Sequence, residues 1–517
     1  MSPARRARGA APAAKKQDPV VAGVKWLDER LGVAKGGRSF LDKIFPDHWS
    51  FLLGEIALYS FVVLILTGVF LSLYYVPSAQ EFVYHGVYKP LDGSMVSGAF
   101  ASTVNLSFVV RSGLVIRQMH HWAADVFVGA IAVHMCRVFF TGAFRKPREL
   151  NWMVGVTLLT LALANGFLGY SLPDDLVSGT GLRIMFSIVL SIPIVGTYLA
   201  TFLFGGNFPG DGSIIPRMFI IHVLILPVII GGLIAAHLGL LVRQKHTQFP
   251  GHGRTEGNVV GSPMYPTFMA KTTGFLFMVA GVLWALGGLA QINPIWQFGQ
   301  YEPYKISYAV QPDWYMGWLD GALRIMPPIE ITGLGHTIPL VVFLPAVLFP
   351  GLCFGLFYAW PIVEARVTGD NAQHNLLDRP RMRPKRTAIG AAALAFFFTL
   401  FGASSTDVLA NYFQISLNEV LWFFRFAVIV IPIVVGLFTY RICLDMSGVS
   451  NIGKRKRAVI VTRSAEGEYA TIDTAPRPGD GHVELDPEPV PDHIEFDGDR
   501  EAVEVGTPGV RRVPRRF

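Results

Sequence analysis

The 517-residue sequence predicts an all-α polytopic membrane protein with eight transmembrane helices, and three observations carry that prediction. Half of the residues are hydrophobic and only 16% are charged, with a mean hydropathy of +0.42, well outside the range of soluble domains. Eight apolar stretches, near 51–76, 113–142, 152–172, 216–242, 267–290, 338–361, 388–410 and 418–443, are each long enough to cross a bilayer. The basic residues fall between these stretches in a pattern that alternates by side.

That alternation fixes the order. Arg145, Lys146 and Arg148 follow the second stretch, and Arg243, Lys245 and Arg254 follow the fourth. The positive-inside rule places both groups on the cytoplasmic face. The second and fourth stretches therefore run in the same direction, with one true span between them. A ninth apolar run, 182–204, must then lie along the outer surface or re-enter, broken at Pro193. The connection holding Arg366, Arg379, Arg381, Arg383, Lys385 and Arg386 lands inside, as does the Lys454–Arg457 cluster. Both termini are then cytoplasmic in the plasma membrane. The net charge of +7 is a topology signal, which excludes a nucleic-acid partner and leaves the lipid bilayer as the surroundings.

Four regions follow. Residues 1–45 form a basic tail, without the apolar core of a signal peptide, and a short amphipathic segment. Residues 46–262 carry the first four spans and 263–445 the last four. Residues 446–517 turn charged and Pro/Gly-containing, as expected of a largely disordered cytoplasmic extension, with a short hairpin near AVIVTRSAEGEYATI. The three cysteines, Cys136, Cys353 and Cys443, lie in separate apolar stretches without CxxC or CxxCH, which argues against covalent haem c, thiolate-bound iron–sulfur and structural zinc.

Ionisable side chains inside a span are costly and usually functional. His120 and His134 share the second span, fourteen residues apart; His222 and His237 share the fourth, fifteen apart. At ~1.5 Å and ~100° per residue, these steps climb ~21 and ~22 Å while drifting only ~40° and ~60° around the helix. Two parallel helices would thus offer two stacked pairs, His120 with His222 near the outside and His134 with His237 near the cytoplasm. A metal macrocycle needing two axial imidazoles suits that geometry; four separate histidines bonded between helices are the alternative. His121, displaced to another face, is expected to bond backbone or water. Arg117 and Arg137, each three residues from a histidine, can reach haem propionates, and alone would be read as snorkelling. Gly54 with Gly68 and Gly155 with Gly169 repeat the fourteen-residue step and would let a helix approach a flat ligand.

These residues resemble the cytochrome b subunit of quinol:cytochrome c oxidoreductase, the cytochrome bc complex, over about 40–445. The match includes both histidine pairs, both glycine pairs, Gly169-Tyr170-Ser171-Leu172-Pro173, and Gln311-Pro312-Asp313-Trp314-Tyr315 where the family has Pro-Glu-Trp-Tyr. The longer spacing in the fourth span is like the cytochrome b–f relatives. The unsplit chain, the Asp in that motif and the C-terminal extension resemble actinobacterial members. The resemblance implies a di-haem four-helix bundle, with a low-potential haem b on His120 and His222 and a high-potential one on His134 and His237. It places Pro312, Asp313, Trp314 and Tyr315 at an outer quinol site; an acid in an outer loop beside aromatics can accept a proton there, Asp313 being one methylene shorter than the usual Glu, and Tyr315 either hydrogen-bonds the quinol or is an interfacial belt aromatic. At the inner quinone site, Thr272 stands where relatives have an Asp after a Lys, here Lys271. His246 lies on the opposite face if the fourth helix continues. Lys271, Lys245, His246 and water remain unranked as proton donors there. The resemblance further implies menaquinone, a Rieske iron–sulfur subunit, a di-haem cytochrome c, a homodimer and an associated terminal oxidase.

Two other readings use the same residues. A di-haem anchor passing electrons between quinone and a dehydrogenase would not require the outer Pro-Asp-Trp-Tyr segment. A proton-coupled transporter with a histidine relay should show broken helices or related halves, and no internal repeat is visible.

Overall fold

A computed structural model describes residues 19–305, 311–333, 335–447, 458–463 and 469–474. The basic tail to residue 18, the Lys454–Arg457 cluster and most of the C-terminal extension lie outside the described residues. Eight helices are long and apolar enough to span: α1 (Trp49–Ser72), α2 (Gly113–Thr141), α3 (Glu149–Tyr170), α4 (Ile214–Gln244), α5 (Met264–Leu289), α6 (Leu340–Thr368), α7 (Pro384–Ala403) and α8 (Leu417–Met446). These match the eight predicted stretches. Their apolar residues extend all round each helix, as expected where lipid and neighbouring helices replace water.

The ninth apolar run is two short helices, Leu176–Leu190 and Gly196–Phe204, separated at Ser191–Val195 around Pro193. Asp175 caps the first, accepting the Val177 and Ser178 amides at 3.1 and 3.3 Å. The seventh stretch ends earlier than expected: α7 stops at Ala403, and Thr406–Phe413 forms a separate helix. Among the described C-terminal residues, Ala458–Arg463 pairs antiparallel with Tyr469–Thr474, which is the expected hairpin.

Close helix crossings are made at glycines. A Cβ on Gly287 of α5 would sit 2.9 Å from the Met119 amide of α2, so backbone meets backbone there. In α4 a π-turn over Ile221–Ile225 precedes Pro227, whose ring nitrogen offers no amide to the preceding turn. That local widening falls on His222. A buried apolar layer of Ala57, Phe127, Val128, Ile131, Leu158, Ala162 and Ile230 fills the centre of the bundle of α1 to α4. A cavity opens on either side of it.

Candidate functional site

The four predicted histidines come together in two pairs. His120 and His222 face each other with ring centroids 6.2 Å apart and planes at 76°; His134 and His237 do so at 6.4 Å and 74°. Two metal–imidazole bonds of ~2.0–2.1 Å, with about 1.1 Å from each nitrogen to its ring centre, would give a separation of about 6.3 Å. Both pairs thus fit a single metal held between them. His120 Nδ1 lies 2.9 Å from Thr67 Oγ1, and His222 Nδ1 2.9 Å from the Asn165 carbonyl oxygen. Such partners hold Nδ1 as the donor and leave Nε2 for coordination.

Each predicted glycine backs one histidine. A Cβ would stand 3.3 Å from His134 at Gly54, 3.2 Å from His120 at Gly68, 3.8 Å from His237 at Gly155 and 2.4 Å from His222 at Gly169. The glycines therefore make room for the imidazoles themselves. The His134–His237 pair lines a cavity of about 480 Å³, called inner after the predicted orientation, and the His120–His222 pair one of about 620 Å³, called outer. Arg137 lines the inner cavity, with its guanidinium 4.3 Å from the Phe51 ring and its Nε and Nη2 buried without a hydrogen bond. Arg117 lines the outer cavity; it donates to the Asn293 carbonyl at 2.9 Å, and its Nε is likewise without a partner. A buried guanidinium with free donors calls for an anion, so each cavity fits a macrocycle bearing carboxylates.

Asp313 and Tyr315 line the same outer cavity as His120 and His222. The Tyr315 hydroxyl donates to Asp313 Oδ2 at 3.0 Å. Burial, followed by the Asp313 charge, pushes the Tyr315 phenol well above its ordinary range, so it stays a donor. His121, for which its face suggested a backbone or water partner, has a carboxylate partner. Its Nε2 lies 3.0 and 3.1 Å from the two Asp313 oxygens. Asp125, one turn further along α2, completes a cluster in which ligand atoms of His121, Asp125 and Asp313 lie within 4.8 Å of one another. Sequence reading gave His121 a bland role and passed over Asp125, although the step of four from His121 to Asp125 is the signal that they share a face. The segment is anchored from behind: Arg324 bonds Asp320 at 2.8 Å, Asp407 at 2.8 Å and the Gln311 side chain at 3.3 Å. Trp314 packs on α2 at Gly129 and, with Pro312, frames Asp313.

At the inner end the predicted residues divide. The α4 helix does not continue beyond Gln244, because Lys245 adopts φ 66° and turns the chain. His246 is thereby returned to the inner cavity, buried, with its Nε2 unpartnered. Burial, reinforced by Lys43, Arg148 and Arg137, brings its imidazole down to about 4, so it is neutral at physiological pH. Lys271 instead donates to Asp47 at 3.0 Å and Ser262 at 3.1 Å, half exposed, and the Lys245 ammonium reaches the Gly257 carbonyl at 3.2 Å. Thr272 lines the cavity beside Glu55 and Tyr59.

Comparison with known proteins identifies the family. Residues 125–300 match the family model described as cytochrome b (N-terminal)/b6/petB. The cytochrome b subunit of the cytochrome bc1 complex from Streptomyces coelicolor is 49% identical over 469 residues, covering 90% of this chain and 85% of that protein. Its counterparts from Corynebacterium diphtheriae and Mycobacterium tuberculosis are 51% and 50% identical, covering 81% and 88% of this chain and 77% and 83% of theirs. A chain of a hyperthermophilic respiratory Complex III shares the fold, with a TM-score of 0.59 at 20% identity over 81% of this chain and 98% of that one. Similarity of this extent, joined to eight apolar helices and paired intramembrane histidines, places the chain in the family of haem b-binding cytochrome b subunits of the bc1 respiratory complex, among its actinobacterial members.

Proposed function

We propose that this subunit oxidises quinol, menaquinol by the resemblance, at the outer cavity and delivers electrons across the membrane to an inner quinone, contributing to the proton motive force as part of a quinol:cytochrome c oxidoreductase. The observation that carries the reading is that Asp313 and Tyr315 share one cavity with the His120–His222 pair. Two haem b groups, held by His120 with His222 and by His134 with His237, would supply one-electron carriers at two depths. Gly54, Gly68, Gly155 and Gly169 shape the cage, and Arg117 and Arg137 offset the propionates.

Asp313 is the base for quinol. Its carboxylate accepts a hydroxyl proton while His121 and Tyr315 hold it from two sides, and Pro312 and Trp314 fix the segment that presents it. The apolar layer between the cavities keeps water out of the bundle centre. Lys271 and His246 belong to the inner quinone region, His246 within the cavity and Lys271 at its margin. The chain is organised as a haem-binding region, 46–262, and a quinol-site region, 263–445, in a plasma membrane with both termini cytoplasmic. Its partners are a Rieske iron–sulfur subunit, a di-haem cytochrome c, a second copy of itself and a terminal oxidase.

Asp313→Asn in the purified complex tests the reading. Quinol oxidation should fall by ~10²–10⁴-fold, the usual weight of a positioned base, while the b-type spectrum is unchanged. A wild-type rate would instead favour a simple di-haem anchor. Absence of extractable haem from the native protein would remove the electron-transfer account altogether.

A further inference from the structure

Reducing one quinone to quinol takes two electrons and two protons, and the protons must come from the inner aqueous side. Among the described residues lining the inner cavity, Glu55 of α1 is the one carboxyl group. Its Oε2 accepts from the Thr272 hydroxyl of α5 at 2.8 Å and from the Tyr59 hydroxyl at 3.1 Å, and the two hydroxyls also contact each other. Oε1 has no partner among the described residues, which leaves it for a ligand. At the position where the resemblance expects an acid, this chain has Thr272; the acid it contacts comes from a different helix. The other candidate groups are engaged elsewhere. Lys271 is tied to Asp47 and Ser262, Lys245 to the Gly257 carbonyl, and His246 is neutral, a hydrogen-bond partner and a poor acid.

We propose that Glu55, positioned by Tyr59 and Thr272, is the acid that protonates one carbonyl oxygen of the quinone in the inner cavity. The proposal rests on the quinone chemistry proposed above, which also supplies the electrons. As the quinone takes up an electron pair in two single steps, the Glu55 O–H bond breaks and an O–H bond forms on the carbonyl oxygen. The carboxylate left behind keeps its two hydroxyl donors and is reprotonated by water from the inner side. His246 hydrogen-bonds the quinone at its other end, and water supplies the second proton there.

The test uses the complex purified with its partner subunits, comparing wild type with Glu55→Gln, Glu55→Asp and the double variant Glu55→Gln/Thr272→Asp. Haem b content should match wild type in all of them. In Glu55→Gln the first-turnover burst of quinol oxidation should persist, while steady-state turnover falls ~10²-fold or more, as expected for loss of a general acid. Its inner b-type absorbance should stay reduced during turnover. Glu55→Asp should keep part of the rate, and the double variant should regain part of it by returning a carboxyl group to Thr272's position. A carboxyl C=O band in the redox-induced infrared difference spectrum should vanish in Glu55→Gln and shift in Glu55→Asp. If the wild-type inner centre is never reoxidised by added quinone, the quinone reading itself fails. If wild type is reoxidised and Glu55→Gln matches its rate and keeps its infrared band, only the role of Glu55 is overturned.

Discussion

At Gly169, a single hydrogen in place of a methyl group decides whether an imidazole can stand beside a helix. A Cβ there would lie 2.4 Å from His222 Cε1, inside any real contact, and the ring cannot simply swing away because its Nδ1 is held by the Asn165 carbonyl. At Gly155 the corresponding distance to His237 is 3.8 Å, an ordinary van der Waals contact. Gly169→Ala should therefore cost about 1–3 kcal/mol of overpacking and lose haem from the outer site, while Gly155→Ala should retain both haems. A pyridine haemochrome assay per mole of protein reads this directly; equal haem in the two variants would contradict it. The fourteen-residue spacing of these glycines was visible in the sequence. What they touch was not, because Gly169 meets a histidine 53 positions later. The same separation hid the partner of His121: a helical wheel shows which face it occupies, but Asp313 arrives on that face from 192 residues away.

The elements themselves were legible because a bilayer imposes length and apolarity on every span. Pro193 announced the break in the ninth apolar run, and the loop charges announced that α2 and α4 run the same way, as the two histidine pairs require. The positive-φ turn at Lys245 was not legible, since nothing in Gln244-Lys245-His246 requires a left-handed residue, and it is this turn that returns His246 to the cavity. Charge counting also flattened a distinction among the inner arginines. Arg386 of α7 is not a free cation on the inner face. It is buried, bonds both Glu364 oxygens of α6 through its Nε at 2.9 and 3.0 Å, and reaches Asp378 through Nη1 at 2.8 Å. The pair thus locks α6, α7 and the loop between them. Arg386→Met would strand the largely buried Glu364 carboxylate, while Asp378 keeps Arg145 and Arg383, at a cost of about 3–5 kcal/mol, and should lower the melting temperature of the detergent-solubilised protein. Adding Glu364→Gln should recover part of that loss, by removing the stranded charge. If the double variant is no more stable than the single one, the ion pair is not what holds these helices together.

For the molecule as a whole, what matters is the vertical separation of the two histidine pairs. His120 and His134 are fourteen residues apart on one helix, hence ~21 Å along its axis, against a hydrocarbon thickness of ~30 Å. An electron moved from the outer level to the inner one therefore crosses roughly 0.7 of the membrane potential. Moving a full charge through 100 mV is worth ~2.3 kcal/mol, so this displacement is worth ~1.6 kcal/mol, or about a 15-fold change in the ratio of inner to outer reduction. In proteoliposomes with one orientation, an imposed potential of that size, positive outside, should shift the b-type spectrum toward the outer centre by that ratio. His134→Ala, with the inner centre gone, should show no shift at all. A wild-type spectrum insensitive to potential would mean that the two pairs lie at the same depth, and α2 could not then be a spanning helix normal to the membrane.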